Sequence, residues 1–540
     1  MRNYSLLLVV LLCFACAEEK ETVDLLIINA NIYTVNQNFD TAEAMAISDG
    51  KIIATGTTKD IQEKYTSLKV INTKGMTIFP GLIDAHCHFY NLGVQQQAVD
   101  LVGTKSFDEV VQRIVDFQKK KNVEFITGRG WDQNDWQEKS FPVKDTLDQL
   151  FPNTPLAITR IDGHAMLVNQ KALDMAKITT ATTFTGGDIE QKNGKLTGII
   201  VDKPMGLIRN VIPALSKEQS IAALLDAQEI CTNYGLTTVD DAGLSRDVVA
   251  LIDSLQQNGA LKTRMYAMMS NTPTNLDYYL DKGIIKTDRL NIRSFKAYAD
   301  GALGSRGAVL KEPYSDKENH FGAMVIGVNE FKDQAKRIAA SQYQLNTHAI
   351  GDSANAVVLR TYAKLLDNTK DRRWRVEHAQ IVAEEDFKYY NENIITSIQP
   401  THATSDMYWA ENRVGKERMP GAYAYQRLLK QSGRVALGTD FPVEQVSPFL
   451  TFYAAVARKD LEDYPKEGFQ MQDALSREDA LRGMTIWAAY SNFEEDEKGS
   501  LEPGKFADFI VLDQDIMKVD IKQVPKTKVL HTFINGEQLK

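Results

Sequence analysis

The residues best suited to chemistry are a pair of histidines behind a short apolar run. His86 and His88 form His-X-His directly after residues 80–85 (PGLIDA). Residues two apart on a strand point to the same face, so both imidazoles can bind one metal ion. Such pairs also arise for packing and hydrogen bonding, so the spacing alone leaves both roles open.

Three more polar residues stand where other apolar or β-branched runs end. His348, His378 and Asp440 each close such a run. Four imidazoles and a carboxylate that converge on one edge of a sheet fit a zinc-type site with an open position for water. A metal held by these ligands lowers the pKa of its water towards about 7. The pattern therefore predicts a hydrolytic metal centre.

Alternating strand and helix patterns supply the elements that would position these residues. They span roughly 400 residues and predict a parallel sheet, open or closed. Residues 216–234 are predicted as a capped helix that stops at Gly235 and leads into the strand 236–239. In a barrel, functional groups gather at the carboxyl ends of the strands, which is where the polar residues fall.

The two ends of the chain share a different pattern, of short apolar runs separated by turns. Asp49-Gly50 between two such runs predicts a hairpin. Neither end is long enough to bury a core alone. We therefore expect residues 23–79 and 498–540 to pair into one small β domain.

The ligand candidates, taken in order, resemble the metal-binding series of the amidohydrolase superfamily. The matching segments are 84–88 (DAHCH), Lys296, 347–349 (THA), 377–379 (EHA) and 438–442 (GTDFP). With 130–132 (GWD), 295–308 (FKAYADGALGSRGA) and 498–508, they are similar to its third family, which contains N-substituted formamide deformylase-like proteins. The resemblance runs from about residue 23 to the end. It implies a (β/α)8 TIM barrel over residues 80–497 beside a small β-sandwich made from both chain ends.

The resemblance also implies roles for the ligand residues. His86 and His88 would bind the more buried metal, and Asp440 would bind it and act as the catalytic base. His348 and His378 would hold a second metal, or one of them would orient substrate in a one-metal site, with His378 among the catalytic residues. Lys296 matches a carboxylated lysine that bridges two metals and joins the catalytic set; a lysine paired with Asp300 or Glu377 is the alternative. One or two zinc ions are the expected cofactor.

Three residues outside this series are candidates for contacts with substrate. They are His164, Arg306 and Trp131, each with a structural alternative: a satisfied loop histidine, a structural arginine and a packing aromatic. The remaining histidines His320, His402 and His531 are expected to be structural. Substrate choice is expected to depend on the insertion between about 131 and 240 and on the loop 408–425.

The expected activity is hydrolysis of a non-peptide carbon–nitrogen bond in a small amide-like molecule. The same site could instead deaminate or cleave a C–O bond, because loops rather than ligands set the substrate. An inactive, surface-tethered binding lipoprotein is the rival from another class. A Ser-His-Asp hydrolase is disfavoured because the Gly-X-Ser-X-Gly elbow is absent.

Charge and the N-terminus bear on partners and location. The 540 residues include 62 Lys and Arg against 71 Asp and Glu, a net charge of −9 that disfavours nucleic acid as a partner. Residues 1–16 are predicted to be a signal peptide, with Cys16 the lipidated residue of a bacterial lipoprotein box. The expected location is the bacterial periplasm or, through that lipid, the membrane, and a homodimer is one oligomeric state that the sequence allows.

Overall fold

A computed structural model describes residues 20–183 and 186–540. The predicted signal peptide and Cys16 lie outside the described residues. No helix within the described ranges is both long and apolar enough to cross a bilayer.

Short strands open and close the chain, and strands alternate with helices between them. The strands are β1 (Glu21–Thr22), β2 (Leu25–Ile28), β3 (Asn31–Tyr33), β4 (Thr41–Ala42), β5 (Ala44–Ser48), β6 (Lys51–Gly56), β7 (Tyr65–Thr66), β8 (Val70–Asn72), β9 (Thr77–Pro80), β10 (Leu82–Cys87), β11 (Val99–Asp100), β12 (Ile126–Trp131), β13 (Leu156–Arg160), β14 (Ala165–Val168), β15 (Gly187–Lys192), β16 (Lys195–Asp202), β17 (Leu236–Leu244), β18 (Arg264–Ser270), β19 (Ile285–Lys286), β20 (Leu290–Tyr298), β21 (Gln344–Ala349), β22 (Trp374–His378), β23 (Ile394–Ile398), β24 (Val435–Leu437), β25 (Phe509–Leu512), β26 (Val529–Ile534) and β27 (Glu537–Gln538). The α-helices are α1 (Thr58–Lys64), α2 (Phe89–Gln95), α3 (Phe107–Lys121), α4 (Asp145–Leu150), α5 (Gln170–Met175), α6 (Met205–Arg209), α7 (Lys217–Asn233), α8 (Arg246–Gln257), α9 (Pro273–Lys282), α10 (Val328–Ala339), α11 (Asp352–Leu365), α12 (Pro400–Asp406), α13 (Ala410–Val414), α14 (Tyr425–Ser432), α15 (Pro448–Ala457), α16 (Arg477–Gly483) and α17 (Ile486–Ser491).

Eight parallel strands form a nearly closed barrel in the order β10-β17-β18-β20-β21-β22-β23-β24. Strand β10 is buried throughout, as expected for a parallel strand covered on both faces. Where the barrel closes, the amide of Asp440 donates to the carbonyl of His86 over 2.8 Å, and the amide of His88 donates to the carbonyl of Phe441 over 2.8 Å. The predicted barrel is confirmed.

Helix α7 shows how local sequence fixes an element of the barrel. Ser216 caps its first turn and forms a capping box with Gln219. Gly235, at φ 80°, then turns the chain into β17. Both ends of this helix agree with the prediction from sequence.

Two sheets built from both ends of the chain form the small β domain. One has the order β6-β5-β2-β8, and the other, β27-β26-β25-β9-β3-β4, contains strands from each end. Their shared core includes Ile27 and Met45 from the N-terminal part and Phe509 and Phe533 from the C-terminal part. Asp49 and Gly50 both have positive φ in the hairpin between β5 and β6. The predicted β-sandwich is confirmed.

A third sheet, of order β11-β12-β13-β14-β16-β15, occupies an insertion between β10 and β17 of the barrel. It carries two hydrophobic clusters of its own, one around Trp131 and one around Met166. The sequence pattern assigns this region to the barrel without a separate sheet. Because β13 to β16 pair antiparallel, they lack the parallel strand–helix alternation of the barrel and pack as a separate layer.

Candidate metal centre

The His-X-His pair lies at the carboxyl end of β10, and the Nδ1 atom of each ring contacts an oxygen atom of another barrel strand. Nδ1 of His86 is 2.5 Å from a carboxylate oxygen of Glu377, and Nδ1 of His88 is 3.0 Å from the carbonyl of Ala242. These oxygens accept hydrogen bonds, so Nδ1 carries the proton and Nε2 is left with its lone pair. Both Nε2 atoms face Asp440 Oδ1, at 3.8 Å from His86 and 3.3 Å from His88.

Asp440 follows β24 in a left-handed backbone conformation, with φ 63°. Such a conformation is costly for a residue with a Cβ and is held here by the hydrogen bond to His86 described above. Burial would raise the pKa of the Asp440 carboxyl, but the surrounding imidazoles, His88 and His86 foremost, hold that pKa well below its ordinary value. The carboxylate is therefore ionised at neutral pH.

Two further barrel histidines complete a ring of imidazoles. His348 lies near the end of β21 and His378 ends β22, with their ring centroids 4.5 Å apart. Nδ1 of His378 donates to Oε1 of Gln399 over 2.7 Å, which again leaves Nε2 free. Burial, together with the charge of Lys296, lowers the pKa of His86 to about 4 and that of His348 to about 3. Both rings are neutral, as metal ligands must be.

Lys296 reaches this ring from β20. Its buried ammonium is 2.9 Å from Nε2 of His86, so it donates to the lone pair that faces the site. Burial lowers the pKa of Lys296 to about 8. The alternative partners are otherwise engaged: Asp300 accepts from three backbone amides, and Glu377 contacts Arg375 and His86.

Beneath the ring lies what we call the supporting network, formed by Asp240, Arg375, Glu377 and Asn492. The buried Arg375 binds both oxygens of Glu377, at 2.8 and 3.2 Å, and one oxygen of Asp240, at 2.8 Å. Asn492 donates to the other oxygen of Asp240 over 2.7 Å. Burial would raise the pKa of Glu377, but Arg375 and His86 lower it to about 2. This network fixes the carboxylate that orients His86.

The donor set fits a divalent cation. Three of its buried atoms have no hydrogen-bond partner: Nε2 of His348, Nε2 of His402 and Oδ1 of Asp440. Buried polar atoms are rarely left unpaired, so a cluster of unpaired atoms of metal-ligand type fits the coordination of a cation. The candidate ligand atoms form two groups, and within each group all of the atoms lie within 4.8 Å of one another. The groups are His86, His88 and Asp440, and His378, His402 and Asp440.

Comparison with known proteins agrees with this geometry. Residues 69–539 match the sequence profile described as the amidohydrolase family. Protein LONG AFTER FAR-RED 3 of Arabidopsis thaliana is 32% identical over 539 residues, covering 96% of this chain and 91% of that protein. The chain belongs to the amidohydrolase family.

Two other similarities support the same assignment. An N-substituted formamide deformylase of Arthrobacter pascens is 26% identical over 540 residues, covering 95% of this chain and 97% of that protein. A crystal structure of an uncharacterized metal-dependent hydrolase from Pyrococcus furiosus is 28% identical, with TM-score 0.76, and covers 92% of this chain and 100% of that one. This amidohydrolase is thus a metal-dependent hydrolase, as the resemblance in its sequence predicts.

The three residues expected to contact substrate have other surroundings in this amidohydrolase. Trp131 is fully buried in the insertion, where its indole donates to the carbonyl of Ile158, so it packs a separate core. Arg306 binds both oxygens of Asp316, at 3.0 and 2.8 Å, in a surface pair. His164 is largely exposed, with Nδ1 2.8 Å from a carboxylate oxygen of Asp202. These contacts agree with the structural alternative for each residue, and a contact with substrate stays a prediction.

The position of His402 at the ring and the supporting network are not predicted from the sequence. His402 was expected to be structural, but Nε2 of its ring lies 3.6 Å from Oδ2 of Asp440. One signal was available: Gln399 to His402 directly follow strand β23, so they share the strand-end position of the other ligands. Of the other two histidines left as structural, His320 contacts the carbonyl of Arg306, and His531 lies half-buried on β26 beside the carbonyl of Lys540.

Proposed function

We propose that this amidohydrolase hydrolyses a non-peptide carbon–nitrogen bond in a small amide-like molecule, with zinc as its metal. The observation that carries the proposal is the ionised Asp440 among neutral imidazoles, with three buried ligand atoms unpartnered. Imidazole and carboxylate ligands suit zinc. The similarity to a formamide deformylase along nearly its whole length favours an amide-like substrate.

The residues that would hold the ion are those of the His-X-His pair together with Asp440. When bound, a zinc ion supplies Lewis acidity, which acidifies a water and polarises a carbonyl. His86 and His88 present Nε2 lone pairs because their Nδ1 protons are engaged by Glu377 and Ala242. The ammonium of Lys296 contacts the Nε2 lone pair of His86, so this side chain must move or be carboxylated before that ion can bind.

Asp440 is the group best placed to move protons. Its carboxylate is ionised at neutral pH, so it can accept a proton from the attacking water and deliver it to the leaving nitrogen. The neutral rings of His86 and His348 do not compete as proton donors at that pH. His378, fixed by Gln399, presents Nε2 towards the same space and can orient a carbonyl or bind an ion.

A substrate panel tests the proposal. Purified protein would be assayed for zinc content and for hydrolysis of N-formyl, N-acyl and cyclic amides, beside aminopurine and lactone substrates. We expect zinc in the unaltered protein and turnover of at least one amide, both lost in His86→Ala. Turnover only of the aminopurines or lactones would replace amide hydrolysis by deamination or C–O cleavage. A folded, metal-free protein that no divalent ion activates would instead support the tethered binder.

We also propose that the chain is exported and anchored through Cys16. The support is the apolar leader that ends in a small residue before this cysteine. Metabolic labelling with a fatty acid should mark the unaltered protein and fail to mark Cys16→Ser. Labelling of both proteins, or of neither, would contradict the anchor.

A further inference from the structure

Tyr298 is a partly exposed tyrosine at the opening of the barrel, and neither the ligand series nor the proposed chemistry gives it a role. It is the last residue of β20 and follows Lys296 by two positions, so both side chains lie on the inner face of that strand. Its exposed fraction is 43%, whereas Lys296 is buried. The phenol of Tyr298 therefore borders both the solvent and the ring of imidazoles.

Contacts at both ends fix the position of this phenol. The ammonium of Lys296 lies 4.7 Å from the centroid of the aromatic ring, a cation–π contact, and the imidazole of His348 lies 5.6 Å away, centroid to centroid. At its other end, the phenol oxygen approaches Gly243 of β17, where a Cβ would lie only 3.3 Å from it. Because β18 lies between β20 and β17, the phenol extends across the carboxyl end of β18.

The hydroxyl of Tyr298 has no hydrogen-bond partner among the residues that the structure describes. Other tyrosines of the barrel region differ in this respect. The hydroxyl of Tyr362 donates to the carbonyl of Leu345 over 2.9 Å, and the hydroxyl of Tyr425 donates to a backbone carbonyl over 3.1 Å. A phenol has an ordinary pKa of about 10, so it keeps its proton at neutral pH. Tyr298 thus offers a neutral hydrogen-bond donor to a molecule in the opening.

Tyr298 and Asp440 face the opening from opposite sides. In the order of the eight barrel strands, β20 is the fourth and β24, which precedes Asp440, is the eighth, so the two strands lie half a circle apart. Amide hydrolysis places negative charge on the carbonyl oxygen and a proton on the leaving nitrogen. An amide in the opening would thus have a proton-accepting carboxylate on one side and a hydrogen-bond donor on the other.

We propose that Tyr298 donates a hydrogen bond to the carbonyl oxygen of the substrate amide and stabilises the negative charge that develops there. The inference rests on the amide hydrolysis proposed above. When the water oxygen bonds to the carbonyl carbon, the π electrons move onto the carbonyl oxygen, where the phenol O–H stabilises them. When the C–N bond breaks, the double bond to oxygen re-forms, and the nitrogen keeps the bonding pair and takes the proton that Asp440 accepted from the water. Tyr298 keeps its own proton throughout.

Tyr298→Phe tests this inference, because it removes the hydroxyl and keeps the aromatic ring over Lys296. With the amide that the unaltered protein turns over fastest, kcat should fall by about 10²–10³-fold, as when one donor to an oxyanion is removed. KM, the zinc content per chain and the melting temperature should change little, since the hydroxyl bonds to no described group. The matched control is Tyr278→Phe, which removes an exposed hydroxyl near Lys282 on helix α9 and should leave kcat unchanged.

A crystal structure provides a second measurement. Crystals of Asp440→Asn soaked with the same amide should place its carbonyl oxygen about 2.5–3.0 Å from the phenol oxygen of Tyr298. A carbonyl oxygen bound elsewhere, or an unchanged kcat in Tyr298→Phe, would overturn the inference; if that variant does not fold, the crystal decides. Intact hydrolysis that is insensitive to the substitution refutes this inference alone. A folded, zinc-loaded protein that hydrolyses no amide refutes the proposed function and this inference with it.

Discussion

Two layers of polar groups inside the same barrel differ in how completely their hydrogen bonds are satisfied. In the supporting network, each charged group has a hydrogen-bond partner. Arg375 lies between Glu377 and Asp240, and Asn492 binds the remaining Asp240 oxygen. In the ring above it, Asp440 and two imidazoles have buried atoms without a partner. A satisfied network rigidifies the fold and fixes geometry, whereas a cluster of unpaired atoms of metal-ligand type fits a bound ion. The two layers should therefore respond differently to substitution.

The largest difference between the effect on kcat and the effect on stability is expected from Asp440→Asn in the ring. Asparagine keeps the shape but cannot take a proton from water, so kcat should fall by about 10²–10⁴-fold. The thermal stability of the metal-free protein should fall only modestly, because one oxygen of the carboxylate is unpartnered there, although the lowered pKa of Asp440 means that its ionised form favours the folded state. Steady-state hydrolysis and thermal unfolding measure the two effects, with Asp316→Asn as the control outside the ring. An unaltered kcat would remove Asp440 from the mechanism.

Arg375→Met should show the reverse pattern, with the main effect on stability. It leaves the buried Glu377 and Asp240 without their cation, which costs about 3–5 kcal/mol when one partner of a buried pair is removed. Urea unfolding of the metal-free protein measures the loss. The double variant Arg375→Met, Glu377→Gln should lose less than the sum of the single variants, because the uncompensated charge is gone. Strict additivity would show that the two residues are not coupled.

A smaller effect, on pH dependence, is expected from Lys296. Its pKa in the folded metal-free protein is about 8, below the ordinary value of 10.5, because of burial. Between these pH values the unfolded chain binds more protons than the folded one, so the folded state gains stability as pH rises through this window. Lys296→Met should lack that gain. Thermal unfolding from pH 8 to 10.5 compares the two proteins, and parallel curves would contradict the burial of a charged amine.

The smallest effect is expected from Arg306→Ala. Arg306 makes a surface pair with Asp316, and such pairs contribute little to stability. Neither KM nor the melting temperature should change appreciably. A clear rise in KM would restore the substrate contact that the sequence suggests for this residue.

Local patterns were enough to predict most of the ligand ring. The alternation of a strand places His86 and His88 on one face, and parallel strands bring His348, His378 and Asp440 to the same edge of the barrel. The capped α7 and the Asp49-Gly50 hairpin were likewise predictable, because caps and turns depend on neighbouring residues. These features are set by short-range geometry and strand order.

Only the tertiary structure decided which side chains meet across the barrel. The pairing of Arg375 with Asp240, 135 residues away, and the approach of His402 to Asp440 depend on barrel closure. Trp131, a candidate for substrate contact by type, is enclosed in the core of the insertion sheet, whose mixed parallel and antiparallel pairing has no signal in the barrel pattern. The sequence by itself thus determined the barrel, the small β domain and the strand-end positions of the candidate ligands. Long-range packing determined their partners, because burial and hydrogen-bond satisfaction are properties of the assembled fold.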